Sequence, residues 1–107
     1  MNDLVKEIHT TAKEKGWWDE PRSFGDIIAL CHSELSEALD EYCNGSKIHQ
    51  TYIASDGKPE GVPVELADVL IRIFDACGYY NIDIASAVKT KVEYNKGRPY
   101  RHGGKML

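Results

Sequence analysis

Pro63-Val64-Glu65-Leu66-Ala67-Asp68-Val69-Leu70-Ile71-Arg72-Ile73-Phe74-Asp75-Ala76-Cys77 is the stretch that decides the fold. Leu66, Ala67, Val69, Leu70, Ile71, Ile73, Phe74, Ala76 and Cys77 surround almost a whole helical circumference. Pro63 suits a first helical turn, and Gly78 supplies a stop. The spacing predicts a helix over 63–77 that is buried on nearly every side. Its polar residues, Glu65, Asp68, Arg72 and Asp75, follow at steps of three, four and three. At about 100° per residue they share one strip roughly 80° wide. A charged strip on such a helix either faces the only available water or lines a site.

Working outward, a second helix is expected over 24–43. Ser23 stands three residues before Asp26, close to a capping-box arrangement. Phe24, Ile27, Ile28, Cys31, Leu35, Ala38, Leu39 and Tyr42 then form one apolar stripe, and Asn44-Gly45 ends it. Leu4, Val5, Ile8 and Ala12 mark a first helix over 2–15, with Asn2 as its cap and Gly16 as its stop. A fourth is expected over 81–96, capped by Asn81, with Ile84, Ala85, Val88 and Val92 inward and Gly97 and Pro99 closing it. Residues 44–62 read as an irregular connection broken by Gly45, Asp56-Gly57, Pro59 and Gly61, with a short extended piece between Ile48 and Ile53. The expectation is an all-α, four-helix bundle-like fold in one domain spanning 1–107.

Composition agrees with a globular chain. Of 107 residues, 42% are hydrophobic and 28% charged, ordinary values for a folded domain. No apolar run approaches the roughly 18 residues of a membrane span, and the amino terminus lacks a secretory pattern. Cys31, Cys43 and Cys77 are odd in number and include no CxxC pair, which fits reduced thiols in a cytoplasmic protein. From Lys89 onward there are six Lys and Arg against one acid, whereas residues 1–88 carry seven against sixteen. An acidic body with a basic tail argues against a general nucleic-acid binder, which needs a broad basic face. It suits carboxylates that hold a metal beside a tail that meets a phosphate.

Helix 24–43 supplies carboxylates to match the strip on 63–77. Glu34, Glu37 and Glu41 flank its apolar stripe instead of lying opposite it. If the two helices pack, ExxE (Glu34, Glu37) and ExxD (Glu65, Asp68) present four carboxylates to one point. Four such charges repel one another, and a divalent cation resolves the conflict. An all-oxygen set suits Mg²⁺ or Mn²⁺, whereas zinc or copper would favour Cys and His. Di-iron bundles carry Glu-x-x-His pairs, which are absent here.

With those motifs in view, the sequence resembles the MazG-like, all-α nucleoside triphosphate pyrophosphohydrolases. The resemblance lies in Ser33-Glu34-Leu35-Ser36-Glu37-Ala38, in Pro59 through Leu70, and in Lys91 through Lys105, segments spread over the central helices and the tail, a span of about two-thirds of the chain. It implies Mg²⁺-dependent hydrolysis of nucleoside triphosphates to monophosphate and pyrophosphate, with the cation held by Glu34, Glu37, Glu65 and Asp68. It also implies a homodimer or homotetramer with sites where helices of partner subunits meet. Ser33 stands where many members open the motif with a further acid, so activation of water falls to Glu34 or Glu37, or Glu41 compensates. Lys91 and Asn95 match a Lys-x-x-x-Asn element that contacts nucleotide phosphates and sugar. Arg98, Arg101 and Lys105 would add charge-assisted contacts to phosphate, and Gly103-Gly104 would let that tail close.

Trp17 and Trp18 offer a face for a base, one of them serving equally well as an anchor for the first helix. Arg72 is expected to pair with Asp68 or Asp75. The alternatives to the main reading are a phosphoribosyl-ATP pyrophosphohydrolase and a non-catalytic helical module that binds a basic partner through its acidic groove.

Overall fold

The computed structural model describes residues 1–100 and is all-α, with four helices in the order the sequence predicts. They are α1 (Asn2–Glu14), α2 (Phe24–Cys43), α3 (Val62–Tyr80) and α4 (Ile84–Lys96). Between α2 and α3 lies a minimal antiparallel hairpin, β1 (Tyr52–Ile53) and β2 (Pro59–Glu60), paired Tyr52 to Glu60 and Ile53 to Pro59. The expected extended piece is thus the last two residues of 48–53, and its partner is the segment that leads into α3.

The long helix α3 is the centre of the molecule. It packs against α2 on one side and α1 on the other. Val5, Ile27, Ala38, Val62, Ala76 and Cys77 are the buried apolar residues, drawn from all three of these helices. α2 begins where its cap predicts, because the Ser23 hydroxyl accepts from the Asp26 amide at 3.0 Å.

The expected stop at Gly78 is corrected: α3 runs on to Tyr80. Gly78 sits inside the helix because His9 of α1 lies against it, and a Cβ there would meet the His9 Cβ at 2.5 Å. The true stop is Asn81, in the left-handed conformation at φ 56° and ψ 42°. Asparagine tolerates that region better than most residues. Asn81 therefore closes α3 instead of capping α4. The cap of α4 is Asp83, whose carboxylate accepts from the Ser86 amide at 3.0 Å. Asn2 likewise caps nothing on α1; its side chain donates to Asp83 at 3.0 Å and ties the starts of α1 and α4 together.

Burial differs from the expected bundle in two places. Leu66 and Leu70 of α3 are 46% and 52% exposed, because among the described residues α1, α2 and the short β2 leave that side of the helix uncovered. None of the α4 residues is buried, and Val88 and Val92, expected inward, are exposed. α4 projects from the three packed helices, and the radius of gyration is 16.6 Å. A compact chain of this length has about 13 Å. No helix among the described residues is long and apolar enough to cross a membrane.

Candidate metal and phosphate site

The packing of α2 on α3 brings together Glu34, Glu37 and Glu65. One carboxylate oxygen from each lies within 4.8 Å of the others. The i,i+3 spacing on α2 puts Glu34 and Glu37 on adjacent turns of one face, and Glu65 enters from the first turn of α3. Glu65 is buried, Glu34 half-buried and Glu37 exposed. The cluster therefore has a dry end and a wet end.

Burial is the main force that pushes the Glu65 carboxyl above its usual range, followed by the charges of Asp68 and Glu37 and a hydrogen bond with Glu37. No Lys or Arg among the described residues forms an ion pair with Glu65. Asp68 does not join the 4.8 Å group, yet it lies one turn along α3 and belongs to the same field. Its pKa is also raised, first by burial and then by Glu34, while Lys58 and Arg72 pull it down.

The set consists of oxygen donors alone, which suits a hard divalent cation. Mg²⁺ holds its oxygens at about 2.0–2.1 Å, so three oxygens within 4.8 Å of one another are near the spacing of a shared ligand set. The raised values of Glu65 and Asp68 share a first cause, burial that disfavours the charged form, and a second, the charge of neighbouring carboxylates.

Arg72 pairs with neither Asp68 nor Asp75, as the sequence suggested. It reaches across to α2, where its Nε and Nη2 donate to Glu34 Oε1 at 3.1 and 2.9 Å. Its guanidinium also lies 4.1 Å from the centre of the Trp17 ring, and Arg22 lies 3.9 Å from the same ring. Trp17, Glu34, Asp68, Arg72 and Asp75 line one cleft of 510 Å³, which α1 also lines through Glu7 and Ile8, with Lys15 just beyond its end. This volume falls in the range of small-molecule sites.

Trp18 takes the other of the two roles considered. Its Nε1 donates to both Asp75 oxygens, at 2.9 and 3.1 Å, and its ring stacks on Tyr79 at 3.9 Å. The same buried Asp75 meets His9 Nδ1 at 2.7 Å. Trp18 therefore anchors the loop after α1, and Trp17 is the cleft residue.

Glu41 does not join the cluster. Ser46 and Tyr52 both donate to its Oε1, at 2.9 and 2.6 Å, and this ties the loop after α2 to that helix. The bond from Tyr52 first, and that from Ser46 second, hold the Glu41 carboxyl below its usual range, and the Tyr52 bond pushes the Tyr52 phenol up to about 12. A carboxylate so engaged is a poor proton acceptor.

Two charges near the cluster escaped the sequence reading. Lys58, just before the second strand, and Glu60, within it, are 3.7 Å apart, and both act on the charge of Asp68. A charge on each side of Pro59, just ahead of the helix that carries ExxD, was the available signal. Gly61 fixes the approach: its φ is 120°, and a Cβ there would collide with the Gln50 carbonyl.

The expected phosphate contacts are elsewhere. Lys91 and Asn95 sit on α4, outside the cleft; Lys91 and Arg98 lie near the Tyr94 ring at 4.9 and 5.5 Å. Arg101, Gly103-Gly104 and Lys105 lie outside the described residues. No family model matches the chain, and neither curated proteins nor solved structures yield a match.

Proposed function

We propose that this chain is a Mg²⁺-dependent pyrophosphohydrolase of nucleoside or deoxynucleoside triphosphates, of the MazG-like class that its motifs resemble. The observation that carries the reading is Glu65, a buried carboxylate without a cationic partner, within 4.8 Å of Glu34 and Glu37. Glu34, Glu37 and Glu65 would hold the cation, with Asp68 alongside; Mn²⁺ is an acceptable substitute. When bound, the cation neutralises phosphate oxygens and lowers the pKa of water.

Glu37 is the exposed member and engages no basic residue among those described. It takes the proton as water oxygen attacks a nucleotide phosphorus and the bond to pyrophosphate breaks. Glu34 is held by Arg72 and is the weaker candidate for that role. Trp17 offers the aromatic surface of the cleft, and Lys58 stands on the hairpin where a polyphosphate would arrive.

Lys91, Asn95 and Arg98 complete this reading only if a second copy brings its α4 to the cleft. A homodimer or homotetramer is favoured by the exposed apolar residues that one chain leaves uncovered. These are Val88 and Val92 on α4, and Leu35, Leu39 and Tyr42 along the groove between α2 and α3.

The test is pyrophosphate release from a panel of canonical dNTPs and NTPs, with phosphoribosyl-ATP beside them, in Mg²⁺ and in EDTA. Release that requires Mg²⁺ is the expected result. Release from phosphoribosyl-ATP alone would move the assignment to histidine synthesis. No release from any substrate, with no Mg²⁺ effect on the melting temperature, would overturn it.

A further inference from the structure

Among the described residues, Arg72 is the guanidinium that touches both halves of the candidate site. Its Nε and Nη2 converge on a single oxygen of Glu34, at 3.1 and 2.9 Å, while its plane lies against Trp17 at 4.1 Å. Both partners are substantially shielded, with side-chain exposures of 25% for Arg72 and 15% for Glu34. An ion pair in such a place is poorly screened by water, so its charges are felt strongly.

We propose that Arg72 is a resident counter-ion for Glu34 that a divalent cation displaces, so that loading the metal frees the guanidinium from the carboxylate and from the Trp17 ring together. This rests on the reading of Glu34 as a metal ligand. A cation on Glu34 stands next to the guanidinium on the same carboxylate, and two positive centres there repel each other. The geometry gives Arg72 other places to go. Asp68, one turn back on the same helix, already feels its charge, and Glu7 lines the same cleft. The anchoring of the loop does not depend on Arg72, because Trp18 is held separately by Asp75 and Tyr79. The side chain can therefore leave without the loop following.

The competing role is a fixed support. If Arg72 merely orients Glu34 by holding Oε1 and leaves Oε2 to the ion, its removal weakens metal binding. The two roles have opposite signs. Calorimetric titration of Mn²⁺ into the nucleotide-free full chain, wild type against Arg72→Met, reads the difference. The expected result is binding tightened roughly tenfold in the variant, the size of an ordinary coupling between two sites. Mn²⁺ or Mg²⁺ should also change the tryptophan fluorescence of the wild type, and that change should disappear in Trp17→Phe.

Equal or weaker Mn²⁺ binding by Arg72→Met, with binding by the wild type intact, overturns the proposal and leaves the metal site standing. No Mn²⁺ binding by either protein overturns the metal site and the proposal together. Should Arg72→Met fail to fold, the Arg72 Nε–H resonance of the wild type carries the test. It must shift towards the position of a free arginine on Mg²⁺ addition. A resonance that stays in place while calorimetry shows Mg²⁺ binding overturns the displacement.

Discussion

α3 and α4 are consecutive helices with opposite circumstances. α3 is covered on two sides, and its buried acid strip finds partners on α2 in the same chain. α4 carries apolar and basic residues at helical spacing, yet touches the packed helices only slightly, where the Ala85 amide donates to Asn2 Oδ1 at 3.4 Å, and none of its residues is buried. Both were expected to serve one site. The difference teaches that a functional set can divide into a part that one chain assembles for itself and a part it can only present. On the proposed reading the carboxylates belong to the first part and the Lys-x-x-x-Asn element to the second.

The sharpest way to break that division is to remove charge from the self-assembled part. Glu65→Gln should abolish Mg²⁺-dependent pyrophosphate release, by at least about 10³-fold, because a buried ligand has no substitute. In EDTA near neutral pH the same variant should melt higher than the wild type. The sign follows from linkage. Glu65 and Asp68 have folded-state values above their unfolded ones, so the folded chain holds those protons more tightly. Their ionisation costs stability as pH rises through the raised values, and the cost vanishes below the unfolded ones. The melting temperature of the wild type relative to that of Glu65→Gln should fall from pH 4 to 8 in EDTA, a difference in which the opposite contributions of Glu41 and Asp83 cancel, and saturating Mg²⁺ should oppose that fall. A Glu65→Gln protein that keeps full turnover ends the metal assignment.

Next in size, Val88→Asp with Val92→Asp tests the presented part. If α4 works through a second copy, sedimentation should show a smaller species, while helix content by circular dichroism changes little because α4 supports nothing within the chain. Unaltered mass would mean that α4 is free in the assembly as well. Gly78→Val compares with it on the packed side. The added side chain meets His9, and a loss of about 2–4 kcal/mol in denaturant unfolding is expected for such crowding.

The smallest effect should come from Tyr52→Phe, which removes one hydrogen bond to Glu41. A loss of about 0.5–1.5 kcal/mol is expected, with faster amide exchange in the loop around Ser46 and turnover within about twofold of wild type. A large loss of turnover would return Glu41 to the candidate set.

Helix existence was legible because periodicity and caps are local: Ser23 accepts where the sequence places it. Asn81 and Gly78 were misassigned for a reason that is not local. Whether a glycine ends a helix or admits a neighbour depends on His9, 69 positions away in the chain. The i,i+3 spacings in ExxE and ExxD put each acid pair on one face, and three of the four acids do converge. Arg72 was assigned to acids on its own helix, since only packing places Glu34 within reach. The α4 residues were read as inward because periodicity says which face is apolar, never what covers it.

One detail of the loop after α1 has a consequence for how this cleft can change. Two adjacent tryptophans divide the labour: Trp18 is fastened to Asp75 and Tyr79, whereas Trp17 touches the cleft and its arginines. Recognition and anchorage thus occupy neighbouring positions without sharing atoms. A lineage of such chains is free to explore new ligands through residue 17, where a change alters one wall of the cleft. The same drift at residue 18 would unseat the wall itself.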